Sequence, residues 1–233
     1  MGQGRRHLNL CKALYEMLRA VCVPEHTVGA DQFVYFDAAN PRRCLAPDAF
    51  VTLHVRDHDF DSYLVWEEGT PELAFEVLSP SDTPERWTFE EKVHRYRTLG
   101  VRELVTFHVD APAGERLRVW DRLEHDLVER VVVDDRTPCV TLGLTLLVGP
   151  VEQYAVALRL ARDPEGRDLV LTAEERLRAE EHEKEREAAG RREEAAGRAA
   201  EAAGRREEAA ARRRAEERIA ELEKQLAAKG GQS

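Results

Sequence analysis

The sequence predicts an α/β domain followed by a long charged helical tail, and three observations carry that prediction. A strand, a helix and a second strand follow one another with short connections between Glu72 and His108, the pattern of a parallel βαβ unit. Hydrophobic residues make up 42% of the 233 residues, enough for the core of one ordinary domain plus an appendage. Charged residues reach 34%, above the roughly 25% of a typical soluble chain, and the excess is concentrated after Thr172. These place a domain at 1–172 and a charged Ala/Glu/Arg-rich helical or coiled-coil tail at 173–233.

Residues 5–20 carry Leu8, Cys11, Leu14, Tyr15 and Leu18 at helical spacing, predicting an amphipathic helix. Val28 to Phe36, β-branched and aromatic with Gly29 and Asp31 interrupting, predicts an early strand. Asp37-Ala-Ala-Asn-Pro-Arg-Arg is a turn, and Ala49–Leu53 is a short apolar run suited to a buried strand entered at Asp48. Glu72–Leu78 reads as a strand and Ser79–Glu85 as a loop. Phe89, Val93, Tyr96 and Leu99 mark a helix from Thr88, with Gly100 where a left-handed cap glycine belongs. Arg102–His108 is the returning strand. Arg116–Trp120 and Leu127–Val133 predict a hairpin or meander, and Val151–Leu171 a strand-rich end with a turn at Asp163–Gly166.

Thr172-Ala-Glu-Glu175 fits a helix capping box. From Glu185 the chain repeats every seven residues, EREAAGR, REEAAGR, AAEAAGR, REEAAAR. Each repeat sets a glutamate four residues before an arginine (Glu187/Arg191, Glu194/Arg198, Glu201/Arg205, Glu208/Arg212), worth about 0.2–0.5 kcal/mol per pair. Gly190, Gly197 and Gly204 each oppose helix by about 1 kcal/mol, which makes the middle of a roughly 85 Å helix marginal. Apolar a/d spacing is confined to Ala215, Ile219, Leu222 and Leu226. Both a weak coiled coil and a solvated charged or partly disordered tail fit this pattern.

Charge narrows the partners. Ala173–Lys229 holds 15 basic and 16 acidic residues, which leaves a net of −9 on residues 1–172. Such a domain repels polyanions unless a local basic surface or bound cations intervene. The uncharged stretch Thr137–Pro150 is too short to span a bilayer, and the N-terminus lacks an apolar leader segment. Cys11, Cys22, Cys44 and Cys139 are far apart with no C-x-x-C, as expected of reduced thiols in a cytoplasmic protein rather than a zinc or disulfide framework.

Asp48, Glu76 and Lys92 stand out because each falls where the pattern otherwise reads as core. A buried unpaired carboxylate costs several kcal/mol, so Glu76, between Phe75 and Val77, needs a partner. A divalent cation would satisfy both carboxylates, and Lys92 lies on the edge of the helix's apolar stripe. Hard oxygen ligands beside a lysine suit phosphodiester hydrolysis. A structural Glu76–Lys92 ion pair, with Asp48 as a turn residue, fits the same spacing. His54 and His58, near Asp59 and Asp61, could bring two imidazoles together or form an exposed acidic loop. No phosphate-binding glycine loop, nucleophile elbow or H-E-x-x-H is present.

Three strings carry a resemblance: Pro47-Asp-Ala-Phe-Val51, Val65–Ser81 with its Glu-Leu-Ala-Phe-Glu-Val-Leu core, and Lys92-x3-Tyr96-x2-Leu-Gly-Val-Arg-Glu103. Together they resemble the Uma-two family of bacterial restriction-type endonucleases, from about His7 to Thr172. The resemblance implies the PD-(D/E)XK fold, a restriction-endonuclease-like mixed sheet flanked by helices. It further implies Asp48 and Glu76 as ligands of Mg²⁺ (or Mn²⁺), Lys92 as the assisting cation, and nucleic acid, with DNA foremost, as the substrate. The superfamily's lysine two residues after the second acidic residue is Leu78 here, so Lys92 would replace it. Where family members often carry an aspartate one turn before this lysine, the chain has Thr88, and Ser79 would shape the turn after the Glu76 strand. The alternative is a catalytically inactive nuclease-like module acting through tail-mediated self-association as a homo-oligomer, or through partner binding.

Overall fold

The computed structural model describes residues 4–78 and 88–230, with side chains described through 224. The loop expected at Ser79–Glu85, Ser79 included, lies outside the described residues. The chain divides into two compact units, Met1–Arg176 and Leu177–Ser233.

The first unit opens with α1 (Arg5–Cys22), followed by β1 (Thr27–Gly29), β2 (Phe33–Tyr35), β3 (Cys44–Leu45), β4 (Ala49–Thr52), β5 (Ser62–Leu64) and the single turn α2 (Val65–Glu68). Its centre is β6 (Leu73–Leu78), α3 (Phe89–Leu99) and β7 (Glu103–His108). The hairpin β8 (Leu117–Leu123) and β9 (Asp126–Arg130) follows, then β10 (Arg136–Cys139), β11 (Leu144–Val151) and β12 (Tyr154–Ala161). A six-stranded sheet has the order β1-β4-β6-β7-β8-β9; β6 and β7 are parallel, and the other pairs are antiparallel. Two three-stranded sheets, β3-β2-β5 and β10-β11-β12, flank it. The architecture is the expected mixed α/β sheet with helices, followed by a long C-terminal helix.

The strands LAFEVL and ELVTFH do not alternate because both faces of the sheet are covered. On one face Leu10, Leu14, Met17 and Leu18 of α1 pack with Val51, Phe75, Val105 and Phe107. On the other, Tyr96 and Leu99 of α3 pack with Phe50, Ala74, Leu104 and Trp120. The helix over 88–99 forms as expected: Thr88 makes a full capping box with Glu91, and Gly100 caps the end at φ 102°, ψ 14°. The hairpin at β8–β9 is also as expected.

One expected strand is in fact two. Asp31, at φ 60°, turns the chain between β1 and β2 and donates its N–H to Pro47 O at 2.9 Å. The single apolar run at 28–36 thus serves two different sheets. Gly29 is needed for space: a Cβ there would lie 2.2 Å from the Phe50 ring. Gly29→Ala is therefore expected to destabilise the domain by about 1–3 kcal/mol through overpacking, read as a lower urea midpoint at unchanged m.

α4 (Ala173–Gly230, 58 residues) starts within the first unit, supplies most of the second and is helical through all three glycines. Arg191, Arg198 and Arg205 pair with Glu187, Glu194 and Glu201 as the spacing predicts. Arg212 departs from the pattern and pairs forward with Glu216 at 3.1 Å instead of back with Glu208. The capping box Thr172–Glu175 forms, and buried Arg159 binds Glu175 at 2.5 Å. Among the described residues no helix is long and apolar enough to cross a membrane.

Candidate active site

Asp48 enters β4 and Glu76 lies on β6. The antiparallel register pairs Ala49 with Phe75, so Asp48 faces Glu76 one step beyond the ladder. Neither is a turn residue in solvent: Asp48 is 8% and Glu76 4% exposed. Asp48 Oδ2 accepts the Val77 N–H at 2.6 Å, which holds that carboxylate rigidly against the strand carrying Glu76.

Glu76 points to the α3 face, as alternation along β6 predicts. Lys92 Nζ donates to Glu76 Oε2 at 2.7 Å, with the lysine side chain 13% exposed. The Tyr96 hydroxyl, one turn further along α3, donates to Glu76 Oε1. The ammonium therefore reaches the carboxylate from α3, although position 78 of the strand is Leu. Burial pushes the Glu76 carboxyl up to about 7; Lys92 opposes the shift, Asp48 adds to it, and the hydrogen bonds from Lys92 and Tyr96 oppose it.

This has a consequence for stability in chelator. An ordinary glutamate titrates near 4.5 and Glu76 near 7, so the folded state holds this proton more tightly than the unfolded chain does. The associated stabilisation is complete below pH 4.5 and is lost as pH rises through 7, a change on the order of 3 kcal/mol. Glu76→Gln lacks this titration. The stability difference between the two proteins is expected to move in the variant's favour across that window, as read from urea unfolding at several pH values.

The donor set suits a small hard cation. Two buried carboxylates sit on neighbouring strands, each next to the Ala49–Phe75 pair, and positive charge between them would relieve the repulsion that raises the Glu76 carboxyl. When bound, such a cation polarises a phosphate oxygen and lowers the pKa of a water. Thr88 is the N-cap of α3 and takes no part in this cluster.

Sequence reasoning missed Tyr96 as a polar partner, having assigned it to the core stripe alone. It also missed His7 and Cys11 of α1. His7 Nε2 lies 3.1 Å from Asp48 Oδ1 with both residues buried, and the Cys11 sulfur lies within 4.8 Å of the same carboxylate. Their i, i+4 spacing was the available signal. The other histidine candidates are dispersed. His58 Nε2 lies 3.3 Å from Glu68, whereas the His54 N–H donates to His26 Nδ1 at 3.1 Å.

Beyond Glu76 on the same face runs an open groove of ≈ 730 Å³, lined by Leu78, Thr106, His108, Arg116, Arg118 and Glu129 among others. Register aligns Glu76 with Thr106 and Thr106 with Arg118. Arg118 is held by a two-pronged contact with Glu129 at 2.7 and 2.8 Å.

Residues 1–150 match the family model Uma2 (Uma-two), described as putative restriction endonuclease. A solved structure described as a putative nuclease belonging to DUF820, from Anabaena variabilis ATCC 29413, is 14% identical; the alignment has a TM-score of 0.44 and covers 61% of this chain and 75% of that one. No curated protein matches. With the match spanning more than half of its length, the chain belongs to the Uma2 family of putative restriction endonucleases.

Proposed function

We propose that the protein is a Mg²⁺- or Mn²⁺-dependent endonuclease that hydrolyses phosphodiester bonds in DNA, with Asp48 and Glu76 holding the cation and Lys92 assisting. The observation that carries this reading is the pairing of two buried carboxylates across β4 and β6 with an ammonium at 2.7 Å. Asp48 and Glu76 offer oxygen ligands in fixed positions, one braced by the Val77 N–H and the other by Tyr96. Lys92 supplies positive charge where negative charge develops on the phosphate. It stands in for the strand lysine that Leu78 replaces. The net of −9 on residues 1–172 opposes tight non-specific binding, and a bound cation would offset it where the polyanion meets the site.

A second reading has its own observation. Glu76 is already satisfied by Lys92 and Tyr96, and Ile219 and Leu222 of α4 are 56% and 44% exposed. A catalytically inactive module whose tail self-associates would look the same. It predicts no heat when Mn²⁺ is titrated into the full chain.

Calorimetric titration of Mn²⁺ into wild type and Glu76→Gln separates the two. The nuclease reading expects binding that the variant abolishes. Absence of binding in wild type, repeated with a non-hydrolysable oligonucleotide present, overturns it. Because only ionised Glu76 ligates, affinity should rise about tenfold per pH unit below 7 and level off above it.

A further inference from the structure

The geometry points to a site for a thiophilic divalent cation, such as Zn²⁺ or Co²⁺, formed by His7, Cys11 and Asp48. His7 and Cys11 are four residues apart on α1 and so share one face of the helix. β4 brings Asp48 to that face. The imidazole nitrogen, the thiol sulfur and a carboxylate oxygen all lie within 4.8 Å of one another. In a tetrahedral zinc centre such donors stand roughly 3.3–3.6 Å apart, so modest side-chain rotation closes the set around an ion. The His7 nitrogen and the Asp48 oxygen are already at 3.1 Å.

Three features favour a soft metal over magnesium here. The donors are one nitrogen, one sulfur and one oxygen, the set that zinc and cobalt take and magnesium does not. Asp48 is pre-oriented because its second oxygen accepts the Val77 N–H, the kind of outer support that ligating carboxylates have. Cys11 is only partly buried, so the cluster is not sealed from solvent.

This site is distinct from the Asp48–Glu76 pair on the α3 side, although Asp48 belongs to both ligand sets. A cation held by His7 and Cys11 therefore competes for Asp48 with one held by Glu76, a consequence that rests on the proposed function. The site itself does not depend on that reading.

The test is a Co²⁺ titration of the full chain, followed by the thiolate-to-cobalt charge-transfer band in the near ultraviolet. One equivalent is expected to develop the band, Cys11→Ser to abolish it, and His7→Gln to weaken binding at least tenfold. Glu76→Gln, which removes the proposed Mn²⁺ site, is expected to leave the band in place, so the two readings fail separately. A companion measurement needs no variant: Zn²⁺, but not Mg²⁺, should slow alkylation of Cys11 in wild type, read by peptide mass at each of the four cysteines. A band that survives Cys11→Ser, or absence of both band and protection in wild type, overturns the proposal.

Discussion

Glu76→Gln is expected to lower the rate of phosphodiester cleavage by about 10³-fold, equivalent to ~4 kcal/mol of transition-state stabilisation. The substitution is nearly isosteric and retains an oxygen that can accept from Lys92 or Tyr96, so the fold should survive. What it removes is the negative charge that, with Asp48, would hold a divalent ion. Asp48→Asn should produce a loss of the same order for the same reason. Lys92→Met should cost about 10²–10³-fold while leaving Mn²⁺ binding measurable, because the lysine is assigned to the phosphate and not to the cation. Cleavage that persists unchanged in Glu76→Gln and Asp48→Asn, each purified alongside wild type, would sink the assignment of these residues.

Glu103→Ala is expected to destabilise the domain by about 3–5 kcal/mol, the cost of breaking a buried ion pair by removing one partner. Glu103 is 1% exposed and begins β7. Its Oε1 accepts from Arg130 at 3.0 Å and from the Val140 N–H at 3.2 Å, and its Oε2 from the Thr141 N–H at 2.8 Å. Arg130 also contacts Asp121 and the Pro138 carbonyl. One carboxylate thus ties the central sheet to the segment after β10. Removing it strands two backbone donors and takes one of Arg130's two carboxylate partners, the other being Asp121. Against the 5–15 kcal/mol that holds a typical domain together, that loss is large, and a urea transition would show it directly. Glu103 lies three residues along β7 from Thr106, the partner of Glu76, so the change should leave Mn²⁺ affinity of the folded protein unaltered. A destabilisation below about 1 kcal/mol would mean that Arg130 and the freed amides find other partners.

These two glutamates show where sequence reading reaches and where it stops. Both occur in strings that resemble the family, but only Glu76 interrupts a strand that otherwise reads as core; Glu103 stands at the start of its strand. Glu103, however, is satisfied by a backbone segment nearly forty residues away, and no local pattern announces that contact. Lys92 and Tyr96 were visible as residues of one helix, and their convergence on Glu76 follows from the α3 face meeting β6. His7 and Cys11 carried only a four-residue spacing until the fold set Asp48 against them. Arg159 reads as a charged residue in a strand-rich end, whereas its side chain is buried against Glu175 and two backbone carbonyls.

By itself the sequence determined the elements with strong local signals: α1 from its 3.6-residue period, α3 from its apolar spacing and its glycine stop, the parallel β6–β7 pair from short connections around a helix, and α4 from its capping box and heptads. Those signals are short-range, set by backbone geometry and neighbouring side chains within a turn or two. Only the tertiary structure decided that 28–36 splits between two sheets at Asp31, that Asp48 faces Glu76 rather than solvent, and which carboxylate meets an ammonium, an imidazole or an arginine. Those outcomes depend on strand register and on which helix face meets which strand, and both are settled by packing between segments far apart in the chain.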